Sequence, residues 1–199
     1  MVEAKKQFVV IGNMNAITYK EVFPLIKENK MWLGVTNFND GMYFKVNSDF
    51  EYAETYKFEK ERNGVKVSRV PGVCWFTNID HGRRHQPLPL MTMADNRKFN
   101  KQLIKSDTGY QKYDNYDAIE IPFTNAIPSD YAGVMGVPIS FLDKYSPEQF
   151  ELVGATESEG RGFSEGLWDE DSKISQATVA DERVYKRIFI KHKNVSKTS

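Results

Sequence analysis

The sequence predicts an α/β fold that opens with a strand, a helix and a second strand. Phe8–Ile11 is a continuous apolar run that stops at Gly12-Asn13, a pattern typical of a strand buried on both faces of a parallel sheet. Apolar side chains then repeat at helical intervals between residues 19 and 26. Met31–Val35 is a second apolar run. Strand, helix and strand in this order predict one βαβ unit.

The helix of this unit has a start signal and one awkward residue. Thr18 and Glu21 stand in capping-box spacing. Pro24 removes one intrahelical hydrogen bond, so we expect a kink in the second turn.

The next stretch is rich in short strands. The Asn63-Gly64 pair predicts a tight hairpin turn between two alternating segments. The predicted strands of this part are Met42–Val46, Thr55–Arg62, a segment through Val65 and Val67, and Val73–Thr77.

Residues 80–116 form a basic, partly irregular excursion from the sheet. They hold seven cations, and a helix is predicted over 96–105. The cations are Arg83, Arg84, Arg97, Lys98, Lys101, Lys105 and Lys112.

The last third returns to strands around a long acidic segment. Strands are predicted at 118–121, 133–137, 150–153 and 184–191, and Ser146 and Pro147 suit the start of a helix. Residues 157–182 are acidic and contain Gly and Ser, which predicts a flexible loop.

Composition limits the class of protein. The 199 residues suit a single domain, 1–199, with a real core, and 27 basic against 27 acidic residues give zero net charge. Balanced charge excludes a histone-like coat but permits a local basic surface. No apolar run reaches membrane-spanning length. With one cysteine, Cys74, no intrachain disulfide is possible, and we expect a reducing, cytoplasmic setting.

The residues alone give weak signals for catalysis. His81 and His85 have metal-ligand spacing only on a helix, and Gly82 favours a loop, so no metal is predicted. Cys74 lies among apolar residues and is expected to be a buried, inert thiol. Neither a Gly-x-Gly-x-x-Gly loop nor a P-loop occurs.

Two groups of residues are candidates for binding. Arg83 and Arg84 carry guanidiniums suited to phosphate or guanine, with His81 and His85 beside them; a solvated turn explains them equally well. The second group combines amides and aromatic rings, as a cleft for a flipped base or an adenosine requires, although a role of Asn13 in capping or turning the chain is the alternative. Its members are Asn13, Asn15, Trp75, Phe76 and Asn78.

Several long strings resemble the EcoRI-type adenine-specific DNA methyltransferases. The resemblance runs in register over nearly the whole chain and is weakest in the acidic segment. The strings are residues 11–21 (IGNMNAITYKE), 41–46 (GMYFKV), 69–78 (RVPGVCWFTN), 113–120 (YDNYDAIE), 133–154 (GVMGVPISFLDKYSPEQFELVG) and 185–191 (YKRIFIK).

This resemblance implies a Rossmann-like fold, S-adenosylmethionine as cofactor, and methyl transfer to N6 of an adenine flipped out of double-stranded DNA. It also implies that an Asn-Pro-Pro-Phe motif holds the base and that no metal takes part. We expect the basic excursion 80–116 to be the region that contacts this DNA, through His81, Arg83, Arg84 and His85. The DNA partner implies a cytoplasmic, nucleoid-associated protein.

The sequence departs from the family at this motif, because its eight prolines include no adjacent pair. The family places the motif just before the strand that corresponds to residues 8–11. We therefore expect a partial Rossmann-like methyltransferase sheet with β-rich and loopy DNA-recognition insertions: the C-terminal portion of such an enzyme, inactive alone. A truncated, mis-started or split gene product would each look like this. A non-enzymatic DNA-binding module and a non-functional remnant are the alternatives.

Overall fold

The computed structural model describes residues 6–36, 38, 41–106, 109–156, 163–164, 166–169, 171–172 and 174–194. Within these ranges the chain is a mixed α/β protein with few helices and four small sheets, ordered β1-β6-β2, β3-β5-β4, β7-β8-β12-β9 and β10-β11. The elements are β1 (Val9–Asn13), α1 (Phe23–Lys27), β2 (Trp32–Leu33), β3 (Met42–Lys45), β4 (Glu61–Arg62), β5 (Val65–Val70), β6 (Val73–Thr77), α2 (Met93–Phe99), α3 (Lys101–Ser106), β7 (Ile119–Glu120), β8 (Met135–Pro138), β9 (Phe150–Ala155), β10 (Thr178–Val179), β11 (Glu182–Arg183) and β12 (Arg187–His192).

The first strand forms, but it is not a buried parallel strand. It pairs antiparallel with β6 at one edge of its sheet. Val9, Val10 and Ile11 are 52%, 37% and 45% exposed. β2 also pairs antiparallel with β6, so β1 and β2 run in the same direction with β6 between them. The apolar run therefore predicted the strand correctly and its burial wrongly.

The predicted helix over 19–26 is divided. Residues Met14–Thr18 form a 3-10 helix, and α1 begins only at Phe23. Pro24 lies in the first turn of α1, where its missing N–H costs no intrahelical hydrogen bond. The expected kink is therefore absent.

The segment from β3 to β5 projects as an arm. Asn63 and Gly64 both have positive φ, 51° and 75°, and make the predicted turn between β4 and β5. Nearly all residues from 47 to 65 are exposed. Of the strand predicted over 55–62, only Glu61–Arg62 pairs, because residues 53–56 turn instead.

The main core lies around the sheet β7-β8-β12-β9. Met135, Val137, Ile188 and Ile190 are fully buried there. β12 is the central strand, antiparallel to both β8 and β9.

A buried ion pair fixes the start of β12. The Arg187 guanidinium donates to both carboxylate oxygens of Glu120, with the shortest N–O distance 2.6 Å. The two side chains are only 12% and 7% exposed. Because breaking a buried pair leaves an uncompensated charge, this contact holds the chain before β12 in place.

The basic excursion contains less helix than expected. Residues Gly82–His85 form a 3-10 turn. The single helix predicted over 96–105 is two helices, α2 and α3, because Asn100 takes an extended conformation between them (φ −76°, ψ 100°).

The other predictions for the last third have mixed outcomes. Ser146 and Pro147 begin a turn rather than a helix, in which Gln149 and Phe150 donate to the Ser146 carbonyl. Of the acidic segment 157–182, residues 157–162, 165, 170 and 173 lie outside the described part. The remainder holds β10, the first residue of β11 and a single bridge from Trp168 to Tyr116. None of the described helices is long and apolar enough to span a membrane.

Candidate functional site

The carboxyl end of β1 opens into a cavity of about 380 Å³. The Asn13 side chain accepts a hydrogen bond from the Asn15 amide at 2.8 Å and so caps the 3-10 helix that follows the strand. Both asparagines line the cavity, with Phe38 and Ile139 at its apolar side. The predicted cap role of Asn13 and its place in a cleft therefore coexist.

Two residues from the end of the chain complete this cavity. The Tyr185 hydroxyl donates to Asn15 Oδ1 at 2.9 Å, and Lys186 Nζ donates to Thr18 Oγ1 at 3.0 Å. Tyr185 is 58% exposed, so its ring is available to a ligand. Arg187, held by Glu120, sets the position of this pair. Sequence reasoning missed both residues because no local pattern links positions 170 and 168 residues apart.

The predicted amide-and-aromatic cleft is not one site. Asn13 lies opposite Val73 in the β1–β6 register, whereas Val9 lies opposite Thr77. About 13 Å of strand therefore separates Asn13 from the end of the sheet that carries Asn78. Asn78 accepts from the Phe8 amide and donates to the Lys6 carbonyl, tying down the start of β1.

The remaining two members of that group have separate surroundings. Phe76 is 4% exposed and belongs to the core. Trp75 lines a second cavity of about 310 Å³ with Val9, Val35 and Ile79.

The arginines of segment 81–85 bond to residues elsewhere in the chain and so hold the segment in place. Arg83 donates to the Val35 carbonyl and to Asp143 Oδ2, both at 2.8 Å. Arg84 donates to Asp80 and Asn29 at 3.2 Å. Its guanidinium carbon lies 3.7 Å from the centre of the Trp32 ring, and its side chain is only 10% exposed.

Both histidines of this segment are also engaged. His81 Nε2 donates to the Leu33 carbonyl at 2.9 Å. His85 lies between Asp80 and Glu148, at 2.9 and 2.7 Å. Hydrogen bonds to Asp80 and then to Glu148 raise the pKa of His85. The same bond to His85 is the main cause that lowers the pKa of Asp80.

Free positive charge lies further along the excursion, on α2 and α3. Arg97, Lys98, Lys101 and Lys105 are all exposed, and none forms an ion pair with a carboxylate in the described part of the chain. The contact of these residues with DNA, like that of 81–85, is untested by the geometry and stays a prediction.

Two chemical possibilities are weakened by the structure. Cys74 is buried, as predicted, and burial raises the pKa of its thiol to about 12. The letters Gly162-Phe163-Ser164-Glu165-Gly166 match a Gly-x-Ser-x-Gly motif, but Ser164 is 3% exposed, whereas a nucleophile elbow presents its serine at the surface. No group of three metal-ligating side chains occurs among the residues described.

Comparison with known proteins identifies the class. A family model described as adenine-specific methyltransferase EcoRI matches residues 1–193, so the chain belongs to that family and the resemblance seen in the sequence is confirmed. No solved structure is measurably similar to it.

Three curated relatives illustrate the family. The chain is 41% identical to Type II methyltransferase M.EcoRI of Escherichia coli over 197 residues, 99% of this chain and 53% of that protein. It is 34% identical over 200 residues to M.MgeORF184P of Mycoplasma genitalium, covering 98% and 60%. It is 37% identical over 155 residues to M.MpnI of Mycoplasma pneumoniae, covering 77% and 45%. The chain thus spans about half the length of these relatives.

Proposed function

We propose that the chain is the C-terminal portion of a site-specific DNA methyltransferase that acts on N6 of adenine with S-adenosylmethionine. The observation that carries this proposal is the family match over residues 1–193, combined with coverage of only 53% of M.EcoRI. The relatives are named as Type II methyltransferases, which supports methyl transfer to DNA as the activity to which this chain contributes.

The free edge of β1 supports an incomplete sheet. β1 is an edge strand in β1-β6-β2, and its three apolar residues Val9–Ile11 are exposed. An uncovered apolar edge strand is a template for pairing with a further strand. We infer that a segment equivalent to the rest of M.EcoRI pairs here and extends the three strands into a Rossmann-like sheet.

The cavity beside β1 supports a place for the target base. A flipped base needs hydrogen-bonding groups at its rim and a ring against its face. Asn13 and Asn15 offer the amides, and Tyr185 offers an exposed ring. Asn78 lies toward the other end of β1, and Trp75 lines the second cavity, so we assign neither of them a part in this pocket.

The cofactor does not fit this cavity alone. No carboxylate occurs among the described residues that line it, and Lys186 is one of those residues. S-adenosylmethionine carries an ammonium, a cationic sulfonium and one carboxylate; Lys186 could pair with the carboxylate, but the described lining offers no carboxylate to the two cationic groups. The sequence also has no Pro-Pro pair for the family's Asn-Pro-Pro-Phe motif. We therefore propose that the cofactor and the catalytic motif come from outside this chain, and that the chain alone is inactive.

Transfer of labelled methyl groups from S-adenosylmethionine to unmethylated genomic DNA tests the proposal. The chain is assayed alone and with the part of M.EcoRI outside the matched region supplied as a separate polypeptide. We expect no incorporation alone and incorporation at N6 of adenine with both pieces.

A matched pair of variants tests the role of the edge. Val10→Asp should abolish complementation, whereas Val65→Asp, at the equally exposed turn of the arm, should not; the two valines are 37% and 38% exposed. Methylation by the chain alone would contradict the proposal. DNA binding with no methylation in the mixture would favour a non-enzymatic DNA-binding module.

A further inference from the structure

We propose that the outer surface of α2 and α3 binds the phosphate backbone of duplex DNA. This proposal depends on the proposed function only because it takes DNA as the substrate. We call this surface the α2–α3 face. The name covers the exposed side chains at the end of α2 and along α3, which are Arg97, Lys98, Phe99, Lys101, Ile104 and Lys105.

The charges of this face are uncompensated. The segment from 91 to 106 carries four cations and one acid, Asp95. That acid accepts a hydrogen bond from the Thr92 hydroxyl at 2.8 Å and keeps its charge, so four cations and one acid leave the segment with a net charge of +3. Lys101 and Lys105, spaced i,i+4, lie on one side of α3. Exposed cations that form no ion pair with a carboxylate among the described residues attract a polyanion.

Helix stability does not account for all of these charges. Arg97 and Lys98 lie in the last turn of α2, and Lys105 in the last turn of α3, where a cation interacts favourably with the helix dipole. Lys101 begins α3, where a cation opposes that dipole.

The backbone beneath the cations is fixed, so they are presented in a set arrangement. Asn100 Oδ1 accepts from the amides of Gln102 and Leu103, both at 3.2 Å, and so caps α3. Its Nδ2 donates to the Asn125 carbonyl at 3.0 Å, and Leu103 is 3% exposed in the main core. The junction of the two helices is therefore held against the main core by Asn100 and Leu103.

Two apolar side chains lie uncovered among the cations. Phe99 and Ile104 are 57% and 52% exposed. Lys98 Nζ is 5.0 Å from the centre of the Phe99 ring. Cations beside an exposed ring suit the edge of a nucleic-acid groove, where phosphates border sugars and bases. An acidic protein is the rival partner, and the test below separates the two.

The experiment measures binding of the full chain to a fluorescent duplex of mixed sequence over a series of KCl concentrations. Each lysine that neutralises one phosphate adds about 0.9 to the slope of log affinity against log salt. The triple variant Lys98→Gln/Lys101→Gln/Lys105→Gln should therefore bind roughly ten- to a hundredfold more weakly in low salt, with the slope reduced by about 2.7. Lys45→Gln/Lys57→Gln/Lys191→Gln is the control, since it makes the same change in net charge at exposed sites elsewhere.

Three outcomes overturn the inference. The first is an unchanged slope in the triple variant, and the second is an equal loss in the control variant. The third is a chain that binds no duplex even in low salt, as expected if the face serves an acidic protein. The methyl-transfer assay tests the proposed function separately. If methyl groups are incorporated with both pieces but the salt slope of the triple variant is unchanged, the proposed function stands and only DNA binding by the α2–α3 face is refuted.

Discussion

Two basic segments of the same excursion use their charges in opposite ways. In 81–85, Arg83 and His85 bond to carboxylates on other elements, and Arg84 stacks on Trp32. In the α2–α3 face, four exposed cations meet no carboxylate among the residues described, although Arg97 lies 5.6 Å from the centre of the Tyr110 ring. A run of arginines in a sequence is therefore not evidence of available charge. What decides is whether the fold brings a carboxylate to it.

The largest expected difference between the segments is in stability. Arg83→Ala/Arg84→Ala leaves the Asp143 carboxylate, 5% exposed, without its cation. Breaking a buried pair costs about 3–5 kcal/mol; Arg83 itself is 30% exposed, so we expect about 2–3 kcal/mol. Urea denaturation measures this. The triple lysine variant of the α2–α3 face should stay within about 0.5 kcal/mol of the wild type, as exposed substitutions usually do.

The same arginine variant tests the prediction that 81–85 binds DNA. If Arg83 and Arg84 contact only other groups of this chain, the folded double variant should show the same salt dependence of DNA binding as the wild type. A smaller slope of log affinity against log salt in the double variant would show that Arg83 or Arg84 binds phosphate. Arg83→Gln combined with Asp143→Asn should recover part of the lost stability, because the carboxylate is then neutral as well.

Sequence reasoning predicted the features that depend on neighbouring residues and missed the contacts between distant ones. Val73–Thr77 was predicted with its correct bounds, and the turn at Asn63-Gly64 likewise, because both depend on local alternation and on backbone tolerance of positive φ. The fate of Arg83 depends on Asp143, 60 residues away. Tyr185 reaches Asn15 across 170 residues. Such pairings depend on topology, and no local periodicity encodes them.

The failure at β1 has the same origin. Its apolar run predicted a strand covered on both faces, but Val9–Ile11 is exposed, because burial requires neighbours packed against the strand. The described sheet supplies only β6 beside it. An exposed Val9–Ile11 is thus a disagreement between sequence and structure that itself supports the proposed missing strands.

A smaller effect should distinguish the apolar part of the α2–α3 face from its charges. Phe99→Ala removes an exposed ring, 57% accessible, that contributes little to folding. We expect duplex binding to weaken about fivefold, or ~1 kcal/mol, with no change in the salt slope, because no charge is lost. Phe58→Ala, 39% exposed on the arm, is the control and should leave binding unchanged. A ring without contact to DNA would leave both variants like the wild type.

The smallest effect concerns the pH dependence of 81–85. The pKa of His85 is raised by Asp80 and Glu148, so protonation favours the folded state. The stabilisation is complete below the pKa of an unfolded histidine, about 6.5, and is lost as the pH rises through the higher folded value. Asp80 and Glu148 have lowered pKa values, so both remain charged through this range.

Thermal melting of His85→Gln against the wild type checks this sign. Because the three side chains are largely exposed, the deficit should be only about 1–2 °C at pH 5.5 and should shrink toward zero at pH 9. Repeating the comparison with Asp80→Asn/Glu148→Gln in both chains removes the carboxylates, and the pH dependence of the difference should disappear. A deficit that grows with pH would mean that His85 is neutral in the folded chain. Only Arg83 and Arg84 would then distinguish segment 81–85, whose charges are paired within the chain, from the α2–α3 face, whose charges are not.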